Sequence, residues 1–263
     1  KLRTGKTLQL MRQSFTESIC RQAGSMSPAS GYVELPHGAD PRLGIEAVWF
    51  SVAEQASTYR VLPDGRCDII LRFCTGMGRI EHISVAVTGP TTRHFDVPIQ
   101  SGMGFAGIRL RPGFFQRVLG FKPVSLRENT LFDGAAISAC PPLATLCAEA
   151  HRPDELSDRL VAFVRSRIGQ DHAPMPGKTR RILSAFHASS GRLSVQDIAQ
   201  MHGLSARTVQ RIMLDATGLP PKSFARILQF HRALRLLRDH RLSPSDAALE
   251  AGYTDQAHMT HAL

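Results

Sequence analysis

From Thr179 to the end of the chain, apolar residues recur every three or four positions, the spacing that lines them along one stripe of a helix. Between Gly31 and about Leu110 the pattern differs. Short apolar runs ("IEAVWFSV", "CDIILRF", "HISVAVTG", "GFAGIRL") alternate with clusters of Gly, Pro, Asp and Thr, which predicts the strands of a small barrel or sandwich. In "LPDG", Leu62 to Gly65, Pro and Gly stand where a tight turn uses them. Pro112 is expected to open a helix in "PGFFQRVLG", because its missing N–H is harmless at the first helical position. Two further helices are expected in "CPPLATLCAEA" and "RPDELSDRLVAFVRSRI". The second puts Leu156, Leu160, Phe163, Val164 and Ile168 on one stripe, as in a core or a dimer seam.

"GQDHAPMPGK" has no hydrophobic period and reads as a linker. The chain then divides into a basic N-terminal arm or helix (1–25), a strand-rich domain (26–168), the linker (169–178) and a helical domain (179–263). In the arm, Leu8, Met11, Phe15 and Ile19 share one helical face. The fold class expected is α+β.

The helical part repeats itself. "LSVQDIAQMHGLS" (Leu193 to Ser205) and "LSPSDAALEAGYT" (Leu242 to Thr254) share Leu, Ser, Asp, Ala and Gly in register as far as Gly203 and Gly252. Ser194 and Ser243 stand where a side-chain oxygen caps a helix, and the two glycines suit the left-handed backbone that ends one. Ser205 then caps a second helix. Its Val209, Ile212 and Met213 are expected to face inward and Arg207, Gln210 and Arg211 outward. Arg matches guanine O6/N7 and Gln matches adenine N6/N7 from a helix lying in the major groove. Between the copies, "PPKSFARILQFHRALRLLRDH" predicts a brace helix of about nineteen residues, roughly 28 Å. Phe224, Leu228, Phe230, Ala233, Leu234 and Leu237 make it apolar on more than one side, and it can set two reading helices about 34 Å apart.

Charge agrees with a polyanionic partner. Thirty-two Lys plus Arg oppose twenty-two Asp plus Glu, a formal +10. Lys222, Ser223 and Arg226 at the start of the brace, with Ser194 and Ser205, are candidate phosphate contacts. No apolar run approaches the ~20 residues of a membrane span, so no membrane partner and a cytoplasmic location are expected. The five cysteines (Cys20, Cys67, Cys74, Cys140, Cys147) are scattered without a Cys-x-x-Cys, as in a reducing compartment. The sequence starts at Lys1 and stops at Leu263 inside a predicted helix, so a trimmed start and a continuation beyond the end are expected.

On these residues ("IAQMHGLSARTVQRIM", "TGLPPKSFARILQFHRALRLL", "AALEAGYTDQAHMTHAL") Thr179–Leu263 resembles the AraC/XylS-type DNA-binding domain. The resemblance implies two helix-turn-helix units joined by a linker helix. Base contacts would come from Arg207, Gln210 and Arg211 in the first unit, and from Gln256, Ala257, His258, Thr260 and His261 in the second. Ala and His stand where strong readers often do, so weaker reading is expected of the second unit. The resemblance further implies a transcription regulator on a promoter operator, a homodimer, and contact with RNA polymerase. "YRVLPDGRCDIILRF", "TGPTTRHF" and "GIRLRPGFF" give the front half a likeness to the cupin-like β-barrel domain of some such regulators, which implies a sensor or dimerisation role.

Other chemistries fit less well. A cupin-type metalloenzyme needs several His and a carboxylate on one metal, whereas His37, His82 and His94 are isolated. The His258/His261 pair at i, i+3 sits on a reading helix, where a DNA- or solvent-facing surface explains it better. An alkyl-accepting thiolate needs clustered cysteine ligands, which Cys67 and Cys74 lack. No nucleophile elbow or phosphate loop appears. The expectation is therefore no enzyme, no cofactor and no metal, with a DNA-tethered cupin-type enzyme or small-molecule-binding module as the alternative. Trp49, Arg60, Asp68, Arg72, Arg93 and His94 are the candidates to line an effector pocket at a barrel mouth.

Overall fold

The computed structural model describes residues 32–35, 39–76, 79–148, 152–169, 175–238 and 242–262. The N-terminal arm, His37, Cys20 and Leu263 lie outside them.

The four apolar runs become the long strands of the front domain. In chain order the strands are β1 (Val33–Glu34), β2 (Ile45–Val52), β3 (Ser57–Val61), β4 (Cys67–Gly76), β5 (Arg79–Thr88), β6 (Phe95–Ile99), β7 (Met103–Leu110) and β8 (Thr130–Phe132), and the four runs are β2, β4, β5 and β7. Six form an antiparallel sheet in the order β1-β2-β7-β4-β5-β8, and β3 pairs with β6 as a separate ribbon. Among the described residues no hydrogen bonds join β1 to β8, so the ladder does not close into a barrel.

Alternation sorts the sheet into two faces. Ile45, Val48, Ile69, Leu71, Phe73, Val85, Val87, Ala106, Ile108 and Leu110 point into the core. There they meet α1 (Phe115–Leu119), α2 (Asp133–Ala139), α3 (Ala144–Cys147) and α4 (Leu156–Ile168). The stripe Leu156, Leu160, Phe163, Val164 belongs to this core, with Ile168 packed at its margin. Pro112 does not open a helix. It sits in a turn with Gly113 at φ 91°, and the helix starts at Phe115. The left-handed Gly113 separates Pro112 from the helix, whose N-cap is Phe114.

The helical region contains α5 (Gly177–Ala188), α6 (Val195–Met201), α7 (Ala206–Thr217), α8 (Pro221–Arg238), α9 (Pro244–Ala251) and α10 (Gln256–Ala262). Helix α5 begins inside the stretch read as linker. The eighteen-residue brace α8 strings together two small cores. Phe224 and Ile227 join Ile182, Phe186, Ile198, Val209, Met213 and Leu219 around the first helical pair. Ala233 joins Ala248, Ala251, Tyr253 and Met259 around the second. Leu228 and Leu237 are half-buried.

The first helical pair is seated on the front domain. Gly113 N–H donates to the Ala216 carbonyl (2.7 Å), Lys122 Nζ meets Asp215 Oδ1 (2.9 Å), and His231 Nε2 lies 2.8 Å from the Pro63 carbonyl. A Cβ built on Gly65 would stand 3.4 Å from both Ile227 and Leu219, so this loop lies directly against the brace. Part of the brace's surplus apolar surface is thus covered by the front domain.

Candidate nucleic-acid interface

Each step of the first corner follows from a local requirement. Ser194 Oγ accepts from Asp197 N–H (3.1 Å) while Asp197 Oδ2 accepts from Ser194 N–H (3.0 Å), a reciprocal cap that starts α6. Gly203 ends the pair's turn at φ 62°, with open space where a Cβ would go. The glycine is needed there for its backbone, not for a close approach. Ser205 Oγ then accepts from Thr208 N–H (3.2 Å) and starts α7. Val209 and Met213 on α7 are fully buried, each burial stabilising by roughly 1.5–3 kcal/mol. Ile212 is half-buried beside them. Their anchoring turns Arg207, Gln210 and Arg211 outward, and all three are exposed. Ser194 Oγ and Ser205 Oγ each accept one capping bond, and Ser205 Oγ also lies 2.9 Å from Thr208 Oγ1; toward a phosphate each has only its hydroxyl proton to donate.

The second corner repeats the plan with fewer free tips. Ser243 Oγ accepts from Asp246 N–H (3.1 Å), and Gly252 ends α9 at φ 91°. On α10, Ala257, His258 and Thr260 are exposed and Gln256 is half-buried; the side chain of His261 lies outside the described residues. Ser245 Oγ donates to Gln256 Oε1 (3.4 Å), Thr260 Oγ1 donates to the Gln256 carbonyl (2.8 Å), and His258 stacks edge-on against Tyr253 (5.3 Å). These local bonds must be exchanged or shared before the helix can read a base edge. Lys222 and Arg226 are exposed and Ser223 is half-buried, one turn apart at the start of α8.

Two family models match the chain. A helix-turn-helix domain model covers residues 198–263, from within α6 to the end. The C-terminal region is a helix-turn-helix domain of the AraC type. A second model, Domain of unknown function (DUF6597), matches residues 43–132, the β2–β8 part of the front domain. No curated protein matches the chain significantly in sequence. Among solved structures, ToxT from Vibrio cholerae O395 is similar at 10% identity and TM-score 0.39, covering 81% of this chain and 92% of that one. An unsaturated-fatty-acid-bound wild-type ToxT from V. cholerae strain SCE256 is similar at 11% identity and TM-score 0.40, covering 80% and 87%. Those scores are too low for the likeness to bear on sites or ligands.

Ahead of the helix-turn-helix domain, the proposed effector residues are only partly brought together. Trp49 Nε1 donates to Asp68 Oδ2 (3.2 Å) on the sheet face opposite the core. Arg72 lies on the next strand positions of the same face, its Nε donating to Ser84 Oγ (3.2 Å). Arg60 instead pairs with Asp96 across the β3–β6 ribbon (2.7 Å), and Arg93 and His94 are exposed in the loop before β6. The centre of the cluster is a residue the sequence reading missed. Arg109 sits opposite Asp68 in the β4–β7 register, with Nε 3.3 Å from Asp68 Oδ1 and 3.9 Å from Asp64 Oδ2. Its Nη1 is 3.9 Å from Glu34, which also accepts from Tyr32 OH (2.8 Å). Alternation within "GFAGIRL" marks Arg109 as off the core face, but only the register shows its partner.

Burial pushes the Asp68 carboxyl up to about 6, against the pull of Arg109 and with the help of Asp64. The Arg109 guanidinium is held charged chiefly by Asp68. Gly107 makes room for the indole beside them, since a Cβ there would lie 2.2 Å from Trp49.

Thiol chemistry finds no support. Burial pushes the Cys67 thiol well up, and Cys74 is exposed seven residues further along the same strand. Among the described residues no three His, Cys, Asp or Glu side chains are gathered as for a metal ion. No described helix is long and apolar enough to cross a membrane.

Proposed function

We propose that this chain is a sequence-specific, double-stranded-DNA-binding transcription regulator. The observation that carries the reading is the matched helix-turn-helix domain whose anchored α7 leaves Arg207, Gln210 and Arg211 free at its outer face. In a major groove, the two arginines would donate to guanine edges and the glutamine to adenine. Lys222, Ser223 and Arg226 would hold the flanking phosphates, while α10 reads weakly through Gln256, Ala257, His258, Thr260 and His261. The protein acts as a cytoplasmic homodimer at a promoter operator, where it contacts RNA polymerase. The second copy doubles the site and raises affinity through effective concentration.

The front domain serves as a cupin-like sensor rather than a catalyst. Trp49, Asp68, Arg72 and Arg109 give its non-core sheet face an aromatic surface and fixed charges to which a small polar effector would bind. A ligand with different affinity for two arrangements of the domains would shift the population between them.

The test is selection of bound duplexes from a random pool, followed by Arg211→Ala on the enriched site. The variant should lose ~1–3 kcal/mol on that site and relax preference at one or two base pairs. An equal loss on unrelated duplexes would assign Arg211 to phosphate, and failure to enrich any sequence would remove the regulator reading.

A further inference from the structure

The stripe that carries Arg207 and Arg211 on α7 continues one turn further to Asp215, since residues four apart lie on the same helical face. Asp215 is the residue that Lys122 of the front domain holds at 2.9 Å. The reading face therefore runs straight onto the front domain at its C-terminal end. What lies there is a unit of two loops. Glu128 N–H donates to the Pro90 carbonyl (3.1 Å) and Gly89 N–H to the Asn129 carbonyl (3.0 Å). Thr92 donates to Glu128 Oε1 through both its N–H (2.9 Å) and its hydroxyl (2.6 Å). A Cβ on Gly218, at the α7–α8 corner, would meet Pro123 and Pro90 within 3.0 Å, so the corner is seated against both loops.

Between this unit and the start of α8 opens a cleft of about 560 Å³ lined by Thr92, Arg93, Arg127, Glu128 and Ser223. Arg93 and Arg127 are exposed, and among the described residues no carboxylate forms an ion pair with either. The one acid in the lining, Glu128, has an oxygen occupied by Thr92. Across the cleft, Ser223 shares its helix turn with exposed Lys222 and Arg226. Two unpaired cations of the front domain thus line one polar trough at the end of the reading face, and the α8 residue that lines its other side, Ser223, lies between Lys222 and Arg226 in the sequence.

We infer that the front domain is itself part of the DNA-binding surface: Arg93 and Arg127 take phosphates of the duplex backbone that leaves α7, continuing the track of Lys222, Ser223 and Arg226. This rests on the proposed function, and it makes the seating of the helix-turn-helix domain on the front domain a determinant of affinity.

The Arg93→Ala/Arg127→Ala chain, both domains together, tests it, against wild type and Arg93→Lys/Arg127→Lys, on a random-sequence duplex of roughly 30 base pairs, about three turns. Binding to such DNA is almost wholly electrostatic, and each lost phosphate contact lowers the salt slope by about 0.9. Two lost contacts lower it by about 1.8, so wild type's advantage should shrink about tenfold between ~50 and ~200 mM salt. The lysine pair should keep the wild-type slope. Matching slopes in wild type and the alanine pair would overturn the inference and leave the regulator reading standing. A wild-type chain that bound no duplex would overturn both.

Discussion

At the scale of single residues, the most consequential side chain in the front domain is one whose charge state is contested. Burial favours a neutral Asp68, and Arg109 and Trp49 favour the carboxylate. A carboxyl raised to about 6 when folded, from about 3.9 in an unfolded chain, binds more protons folded than unfolded between those values. Stability from this group is therefore complete below about pH 4 and is lost as pH rises through about 6. Asp68→Asn removes the titration. Wild type should lose thermal stability relative to that variant as pH is raised across this window. A relative gain would mean that the Arg109 ion pair outweighs burial. Trp49 is the chain's only tryptophan and donates to the same carboxylate, so its fluorescence should follow the same transition.

At the scale of elements, the turns on either side of α6 depend on glycines for different reasons, and substitution separates them. Gly203 has φ 62° with nothing near its would-be Cβ. Gly203→Ala should cost about 1–2 kcal/mol, the strain of a left-handed alanine alone. Gly191, in the turn between α5 and α6, has φ 76°, and a Cβ there would also lie 2.2 Å from the Ala225 carbonyl oxygen on the brace. Gly191→Ala carries the same strain plus a backbone clash, so its loss in chemical denaturation should be clearly the larger. Equal losses would show that the brace moves aside freely.

This contrast also marks what a sequence can carry. Gly203 was legible because its cause is local: a repeated Ser-to-Gly spacing and a capping residue on each side. The strand "IEAVWFSV" was legible for the same reason, and β2 spans those eight residues. Gly191 and Arg109 matter through partners far along the chain, Ala225 and Asp68. No periodicity encodes which strand or helix will lie opposite.

For the whole molecule, the linker composition marks a boundary between two domains, yet the first helical pair rests on the front domain. The brace is apolar on more than one side, and two helical pairs clasp it. The Pro63–Arg66 loop is a third occupant, and it approaches from a part of the chain with no helical pattern to announce it. His231 is the polar pin of that joint. Its neutral ring donates from Nε2 to the Pro63 carbonyl, and burial holds its pKa below the usual value, with Arg66 and Arg235 pushing the same way against Asp64 and the carbonyl. A histidine depressed on folding contributes stability that is present above about 6.5 and is lost as pH falls through the folded value. Acid should therefore loosen the seating. His231→Gln keeps an N–H for the carbonyl and cannot ionise. Between about pH 7.5 and about pH 5, above and below the ordinary histidine value, wild type should lose more thermal stability than the variant. It should also gain more hydrogen exchange in the Pro63–Arg66 loop. His187, whose ring burial likewise depresses, is present in both chains and cancels from the difference. An identical acid response in the two would mean that His231 is not what the joint turns on, and the coupling of the halves would then rest on the Gly113–Ala216 and Lys122–Asp215 bonds and on the packing at Gly65 and Gly218.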